Sequence, residues 1–187
     1  MIEPIIKFLK EKIDNPPMVG IVLGSGLQKI ASSLDDVLII QYSDIPSFIN
    51  TTVDGHAGEF IIGKVNNMNI ICANGRFHYY EGLSYENTHI IIDIFHMLGC
   101  QNIITTNSSG CLESSWKPGD LMVIDSHLDM TFRNEIDMIN RKYGDKYYNP
   151  MLYRIAIESM QEMNLSVRTG TYGWTLGPTY ETKAEIE

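Results

Sequence analysis

The sequence has little of what characterises secreted, membrane-spanning or nucleic-acid-binding proteins. Its 187 residues include only three cysteines, an odd number without CxxC spacing, which argues against both a disulfide scaffold and a zinc site. Its apolar runs are too short to cross a membrane, and its first residues mix Lys and Glu with apolar residues, unlike a signal peptide. Acidic residues outnumber basic ones by 23 to 14, so the net charge of -9 disfavours nucleic-acid binding. We therefore expect a cytoplasmic protein with no membrane or nucleic-acid partner.

What the sequence contains is the pattern of a single α/β domain over residues 1–187, with a mixed central β-sheet flanked by helices. Apolar residues at helical spacing predict helices over residues 5–13, 27–34, 84–98 and 150–163. Short apolar runs predict strands over residues 18–23, 36–42, 59–65, 68–74, 102–106, 121–125 and 167–175. Asn66-Asn67 should join the third and fourth strands as a hairpin. Gly99 should end the helix predicted over residues 84–98.

The last residues look like the start of another helix. Thr182 and Glu185 are spaced as in a capping box, in which a hydroxyl and a carboxylate satisfy the first free N–H groups of a helix. The sequence ends two residues later, and so short a helix is not stable by itself. We therefore expect the domain to be incomplete at its C-terminus.

Two glycine-flanked groups of hydrogen-bond donors follow predicted strands. At residues 24–26 (GSG), backbone N–H groups and the Ser25 hydroxyl could bind an anion, although the same tripeptide also suits an ordinary tight turn. The segment GRFHYYEG contains Arg76, whose planar guanidinium matches phosphate oxygens, and His78, which could donate to the same anion while Glu81 orients it. Because open α/β folds bind ligands at strand ends, the pair of segments favours an oxyanion site over a surface loop with an Arg–Glu pair.

Three further segments carry polar groups that could reach a ligand. His56 lies between glycines in GHAG, and Asn107 and Ser108 follow a predicted strand. Tyr180 could stack on a flat base and Glu181 could accept its N–H groups, although an acid before a helix is also explained by the helix dipole alone. The remaining histidines have no metal-ligand spacing, so no metal site is predicted.

Taken together, these segments resemble the trimeric class of purine nucleoside phosphorylases, within the nucleoside phosphorylase II group. The matching pieces run in the family's order and are GSGL at 24–27, DIPSF at 44–48, GHAGEF at 55–60, GRFHYYEG at 75–82, TTNSSG at 105–110, KPGDLMVIDSH at 117–127 and GTYGWTLGPTYETKAEI at 170–186. GRFHYYEG and GPTYETKAEI are the most specific. The resemblance implies a nucleoside phosphorylase-like fold, a homotrimer and a role in purine metabolism through nucleoside salvage.

The resemblance also implies a role for each matching residue. Phosphate would be bound by Ser25, Arg76, His78, the backbone of Ser108, and His56. The sugar would be lined by Tyr80, and the purine would be contacted or bordered by Tyr180, Glu181 and Asn107. His78 and Glu181 would be the catalytic residues. No metal or cofactor is implied, because inorganic phosphate is a co-substrate.

The implied activity is that of a transferase, more closely a glycosyltransferase of the pentosyltransferase type: phosphorolysis of purine (deoxy)ribonucleosides to free base and pentose 1-phosphate. One alternative is a truncated, non-catalytic paralogue that binds phosphate or self-associates. A second is a methylthioadenosine phosphorylase-like enzyme, which usually differs at the position of GPTYET. A dinucleotide-binding oxidoreductase fits poorly, because Lys29 stands where the third glycine of that fingerprint belongs.

Overall fold

Two compact units make up the chain in a computed structural model that describes residues 2–49, 57–131, 142–143, 147–177, 179 and 181–186. The first unit is Met1–Ser109 and the second is Gly110–Glu187. The mixed α/β fold predicted from the sequence is confirmed. The single domain expected over residues 1–187 stays a prediction.

The first unit contains three α-helices and five strands in its described residues. In chain order they are α1 (Glu3–Lys12), β1 (Val19–Val22), β2 (Asp35–Gln41), β3 (Glu59–Val65), β4 (Met68–Asn74), α2 (Tyr85–Thr88), α3 (Ile90–Leu98) and β5 (Asn102–Thr105). Short 3-10 helices cover Gln28–Ser33, Tyr42–Asp44 and Tyr79–Glu81.

The five strands form one mixed sheet in the order β2-β3-β4-β1-β5. Strand β3 is antiparallel to both β2 and β4, whereas β1 is parallel to both β4 and β5. Val22, the last residue of β1, is in register with Ala73 of β4 and with Thr105 of β5. The carboxyl ends of three neighbouring strands therefore coincide at one edge of the sheet.

Both faces of this sheet carry buried apolar residues. On one face α1 and α3 pack against the strands, and the fully buried Phe95 of α3 lies against β1 at Gly20. Tyr42 adds an aromatic cluster there with Phe48, Phe60 and Phe77. A smaller cluster, Leu23, Ala31, Leu34, Ile61, Ile70 and Cys72, occupies the other face beneath the 3-10 helix Gln28–Ser33. The helices thus hold the sheet from both sides.

Strand β2 lies at the edge of the sheet and is irregular. Its pairing with β3 shifts between Asp35 and Leu38, and Asp36 has a positive φ of 52°. Asp36 also accepts a hydrogen bond from Lys64 of β3 at 2.8 Å. The strand exposes Val37 and Ile39 by about half, at 46% and 53%.

In the first unit, several elements match the sequence-based predictions closely, and two predicted helices differ. The hairpin β3–β4 has the predicted bounds, and Asn66 and Asn67 both adopt the positive φ of its tight turn. The helix predicted over 27–34 is a 3-10 helix. The helix predicted over 84–98 breaks at His89 into α2 and α3, and Gly99 ends α3 in the left-handed conformation, as expected.

The second unit contains a three-stranded sheet. Its described elements are β6 (Met122–Asp129), β7 (Lys142–Tyr143), α4 (Pro150–Glu162), β8 (Arg168–Trp174) and α5 (Lys183–Ile186). The strand order is β7-β6-β8, with β6 parallel to β8. The strand predicted over 121–125 continues to Asp129, and the Thr182–Glu185 capping contact at the start of α5 is confirmed at 2.7 Å.

The cysteines agree with the expectation drawn from the sequence. All three cysteines are free; Cys72 and Cys100 are buried and Cys111 is exposed. Burial raises the pKa of the Cys72 and Cys100 thiols to about 11, so both remain protonated at neutral pH. Among the described residues, no helix combines the length and apolarity needed to cross a membrane.

Candidate active site

The segments that leave β1, β4 and β5 meet at the edge of the sheet where these parallel strands end. The backbone N–H of Gly24 donates to the Thr106 hydroxyl at 2.8 Å, and that hydroxyl donates to the carbonyl of Val22 at 2.9 Å. The backbone N–H of Thr106 also donates to Val22, at 3.0 Å. The turn after β1 is therefore tied directly to the end of β5.

Gly24 is required at this turn because there is no space for a side chain. A Cβ atom on Gly24 would lie 2.7 Å from the Asn107 Cα and 2.7 Å from the Thr106 carbonyl oxygen. Gly26 has a positive φ of 88°, and nothing lies within 4 Å of its Cβ position. Between the two glycines, Ser25 is exposed. The tripeptide thus forms a tight turn with Ser25 exposed on it, and its binding of an anion stays a prediction.

Arg76 leaves the end of β4 and reaches across to β5. Its Nη1 donates to the Thr106 carbonyl at 2.9 Å, and its Nε donates to Nε2 of His78 at 3.0 Å. A guanidinium carries five N–H donors. Among the residues that the structure describes, the other three donors of Arg76 have no acceptor. The side chain is thus fixed at two points and retains donors for an anion.

His78 and Glu81 are hydrogen-bonded to each other through both the backbone and the ring of His78. A single oxygen of Glu81, Oε1, accepts from the His78 backbone N–H and lies 3.0 Å from the ring Nδ1. Because Nε2 accepts from Arg76, the proton of the neutral ring is assigned to Nδ1, facing the carboxylate. The Glu81 side chain is only 4% exposed, so the ring orientation is held by a buried group. These contacts agree with the predicted role of Glu81 in orienting His78.

The pKa of His78 is lowered from its ordinary value. Burial is the largest cause, since it disfavours the charged ring, and the positive charge of Arg76 acts in the same direction. The hydrogen bond to Glu81 and its charge oppose the shift without cancelling it. His78 is therefore a neutral imidazole at neutral pH.

Tyr80 lies beside this pair. Its ring stacks on the His78 ring with 4.8 Å between centroids and 18° between planes, and 43% of the residue is exposed. Gly82 ends the 3-10 helix Tyr79–Glu81 with a positive φ of 79°. The segment GRFHYYEG thus folds into one compact turn that presents a cation, an imidazole and an aromatic ring.

A second layer of contacts fixes the backbone just before Arg76. The buried Tyr42 hydroxyl donates to the Gly75 carbonyl at 3.0 Å. Glu59 accepts from Asn74 at 2.8 Å and from Gln41 at 2.7 Å, so its carboxylate joins the ends of β2, β3 and β4. No local pattern in the sequence indicates these three-strand contacts, because they depend on strand register.

The remaining predicted residues fall into three groups. Asn107 and Ser108 are exposed directly after β5, where the Asn107 side chain donates to the Ser108 carbonyl at 3.2 Å. In the second unit, Glu181 is exposed and accepts from the Thr175 hydroxyl at 3.0 Å. His56 and Tyr180 lie outside the described residues. Within the described part of the chain, no three His, Cys, Asp or Glu residues are grouped as metal ligands.

Thr106 is the residue at this edge to which the sequence assigned no role. It lies within TTNSSG, a strand-end segment in which the sequence indicates ligand contacts for the two residues that follow it. Its contacts to the turn after β1 and to Arg76 make it the centre of the three segments.

Comparison with known proteins identifies clear relatives. The model of the phosphorylase superfamily matches residues 18–187. Purine nucleoside phosphorylase 1 of Geobacillus stearothermophilus is 36% identical over 99% of this chain and 70% of its own length. The crystal structure of schistosoma purine nucleoside phosphorylase with hypoxanthine has a TM-score of 0.85 at 28% identity, covering 99% of this chain and 69% of that one. The crystal structure of isoform 2 of the Schistosoma mansoni enzyme, with cytosine and ribose-1-phosphate, has a TM-score of 0.84 at 29% identity. It covers 98% of this chain and 68% of that one.

Proposed function

Because this chain belongs to the phosphorylase superfamily, among the purine nucleoside phosphorylases, we propose that the edge formed by the ends of β1, β4 and β5 binds the phosphate that attacks a purine nucleoside. The observation that carries this proposal is Arg76. Its guanidinium is fixed by Thr106 and His78, and three of its N–H donors have no acceptor in the described structure. An oriented guanidinium with free donors suits an oxyanion.

The phosphate ligands proposed are those grouped around Arg76. Ser25 would donate its hydroxyl, since it is exposed on the turn that Thr106 fixes. Ser108 would donate its backbone N–H from the exposed segment after β5. His78 would contact the anion through Nε2, the nitrogen that now accepts from Arg76. His56 completes the proposed set on the basis of the family resemblance.

The reaction is phosphorolysis of a purine ribonucleoside or deoxyribonucleoside. A phosphate oxygen bonds to the anomeric carbon as the bond from that carbon to the purine nitrogen breaks, and the departing electron pair stays on the purine, which is protonated or hydrogen-bonded. The products are free base and pentose 1-phosphate. The sugar becomes positively charged in the transition state, as in other glycoside cleavages. A dianion held beneath it both supplies the nucleophile and stabilises that charge.

The contacts to the rest of the nucleoside are proposed from the matching motifs. Tyr80 would line the sugar, because its ring is exposed and stacked on His78. Tyr180, Glu181 and Asn107 would contact or border the purine, with the Glu181 carboxylate accepting base N–H groups. The related Schistosoma structures contain hypoxanthine, which is a purine base, and ribose-1-phosphate, which is a pentose phosphate of the expected kind.

The remaining properties are proposed from the same resemblance. The protein would need no metal or organic cofactor, since phosphate is the second substrate. It would work as a homotrimer in the cytoplasm and take part in purine nucleoside salvage.

The first test is base release from inosine with varied inorganic phosphate, in the parent protein and in R76A. Losing charge-assisted hydrogen bonds to phosphate costs about 1.5–3 kcal/mol, so kcat/KM for phosphate should fall roughly ten- to a hundredfold. R154A is the matched control, because the Arg154 side chain is 70% exposed on α4. It should retain the parental phosphate dependence.

Two outcomes would contradict the proposal. An unchanged phosphate dependence in R76A would remove Arg76 from the site. Phosphate binding by the parent protein without any phosphate-dependent base release would instead favour the non-catalytic phosphate binder.

A further inference from the structure

We infer that Thr106 is the positioning residue of the proposed phosphate site: its hydroxyl sets the turn that carries Ser25, and its carbonyl sets Arg76. The inference rests on the proposed function, because it concerns the same site. Thr106 itself need not touch phosphate. It would act through the two groups on either side of it.

The hydroxyl of Thr106 uses both its donor and its acceptor capacity within the protein. It accepts from the backbone N–H of Gly24 at 2.8 Å and donates to the carbonyl of Val22 at 2.9 Å. These two groups lie on either side of Leu23, where the chain leaves β1. The hydroxyl therefore holds the bend at the end of β1 and fixes where Gly24 lies.

The two partners of this hydroxyl differ in what they lose without it. The Val22 carbonyl also accepts from the backbone N–H of Thr106 at 3.0 Å, so it keeps a partner. The N–H of Gly24, a buried residue, has the hydroxyl as its acceptor. Removing the hydroxyl leaves this buried N–H without a partner, and the turn must move to satisfy it.

The carbonyl of Thr106 performs the second function. It accepts from Nη1 of Arg76 at 2.9 Å. The same oxygen would lie only 2.7 Å from a Cβ on Gly24, so carbonyl and turn are packed without space between them. A shift of the turn therefore reaches the acceptor of Arg76 directly.

The consequence concerns two phosphate donors that lie far apart in sequence. Ser25 follows Gly24 on the turn, and Arg76 follows β4. Through its two oxygens, Thr106 fixes both against the end of β5 and so sets the distance between them. An oxyanion site depends on such preorganised donors.

The decisive comparison is T106V against T106S. Valine preserves the branched shape and removes the hydroxyl, so the Kd for inorganic phosphate and the KM for phosphate should both rise about tenfold. The KM for inosine should change little. Serine preserves the hydroxyl and should restore most of the phosphate affinity. T105V is the matched control at the exposed preceding residue of β5 and should bind phosphate like the parent.

A double-mutant cycle tests whether the effect acts through the turn. If the hydroxyl works by placing Ser25, then T106V should weaken phosphate binding much less in an S25A background than in the parent. Binding is measured by calorimetry with inorganic phosphate alone, and the KM values come from inosine phosphorolysis. If T106V does not fold, T106S and T106A give the same comparison, since they differ only in the hydroxyl.

The possible results separate this inference from the proposed function. A folded T106V with parental phosphate affinity would overturn the inference about Thr106. A T106S that binds phosphate as weakly as T106V would also overturn it, because packing and not the hydroxyl would then determine the affinity. Full additivity of T106V and S25A would overturn the role of the turn. If R76A and S25A also bind phosphate like the parent, the phosphate site itself is wrong, and the inference fails with it.

Discussion

His78 illustrates how its neighbours determine the chemistry of one residue. The Glu81 carboxylate faces Nδ1, and the Arg76 guanidinium donates to Nε2, so both ring nitrogens have assigned roles before any ligand arrives. In this state Nε2 is an acceptor. A bound phosphate that takes the donors of Arg76 would contact Nε2 in one of two ways. Either a protonated phosphate oxygen donates a hydrogen bond to the neutral ring, or the ring has taken up a proton and Nε2 donates to the phosphate.

The lowered pKa of His78 predicts how stability depends on pH. Because burial and Arg76 disfavour the charged ring, the native state binds a proton at His78 more weakly than the unfolded chain does. The contribution of His78 is therefore complete above the ordinary histidine pKa of about 6.5 and is lost as the pH falls below it. Urea unfolding of the parent between pH 7.5 and 5.5 should show stability decreasing, with a shallower decrease in H78Q.

The control for this prediction is H96Q, which removes an exposed histidine from α3. It should keep the pH dependence of the parent. An H78Q variant with the parental pH dependence would show that the contacts of His78 do not determine the acid sensitivity of the protein.

Among the elements, α3 packs closely against β1, the strand that leads to the candidate site. A Cβ on Gly20 would lie 2.3 Å from Cδ2 and 2.7 Å from Cγ of Phe95, a ring that is 0% exposed. The ring cannot move aside without disturbing the core. The close approach of helix and strand thus requires glycine in the middle of β1.

We expect G20A to destabilise the protein by about 1–3 kcal/mol, the usual cost of overpacking a core. Urea denaturation followed by circular dichroism measures this as a lower midpoint. G110A is the matched control, because nothing lies within 4 Å of its Cβ position, and it should be nearly neutral. A G20A variant with the parental midpoint would mean that α3 is not held against β1 as described.

The elements that the sequence predicted best are those encoded by neighbouring residues. The β3–β4 hairpin matches at both ends because Asn66-Asn67 accepts the positive φ values that its turn requires. The break between α2 and α3 was missed because the apolar spacing continues through His89, whose φ of -107° and ψ of 3° no local signal indicates.

The contacts within the candidate site were predictable to a similar extent. Arg76, His78 and Glu81 belong to one segment, and their mutual contacts follow from short spacing. Thr106 was not predictable, because it contacts Gly24 only through the parallel register that pairs Val22 with Thr105. Contacts across 82 residues depend on the assembled sheet.

For the molecule as a whole, the negative net charge means that the proposed phosphate site depends on the orientation of its own hydrogen-bond donors. The chain carries a net charge of -9, which repels a dianion at long range. Binding must therefore come from short-range, oriented donors such as those of Arg76. Attraction by the overall charge contributes nothing here.

The proposed homotrimer gives a prediction at this scale. Light scattering coupled to size exclusion should return about three times the chain mass of 21.2 kDa. The measurement should be repeated over a range of protein concentrations, because association depends on concentration. A mass equal to one or two chains throughout that range would contradict the trimer.

The irregular strand β2 also affects how copies of the protein can associate. An exposed edge strand with apolar residues such as Val37 and Ile39 is a template on which further strands can pair. The register shift between Asp35 and Leu38, the left-handed Asp36 and its ion pair with Lys64 interrupt that template. A regular β2 would offer a continuous ladder for fibril growth. The distortion therefore protects this sheet from open-ended aggregation.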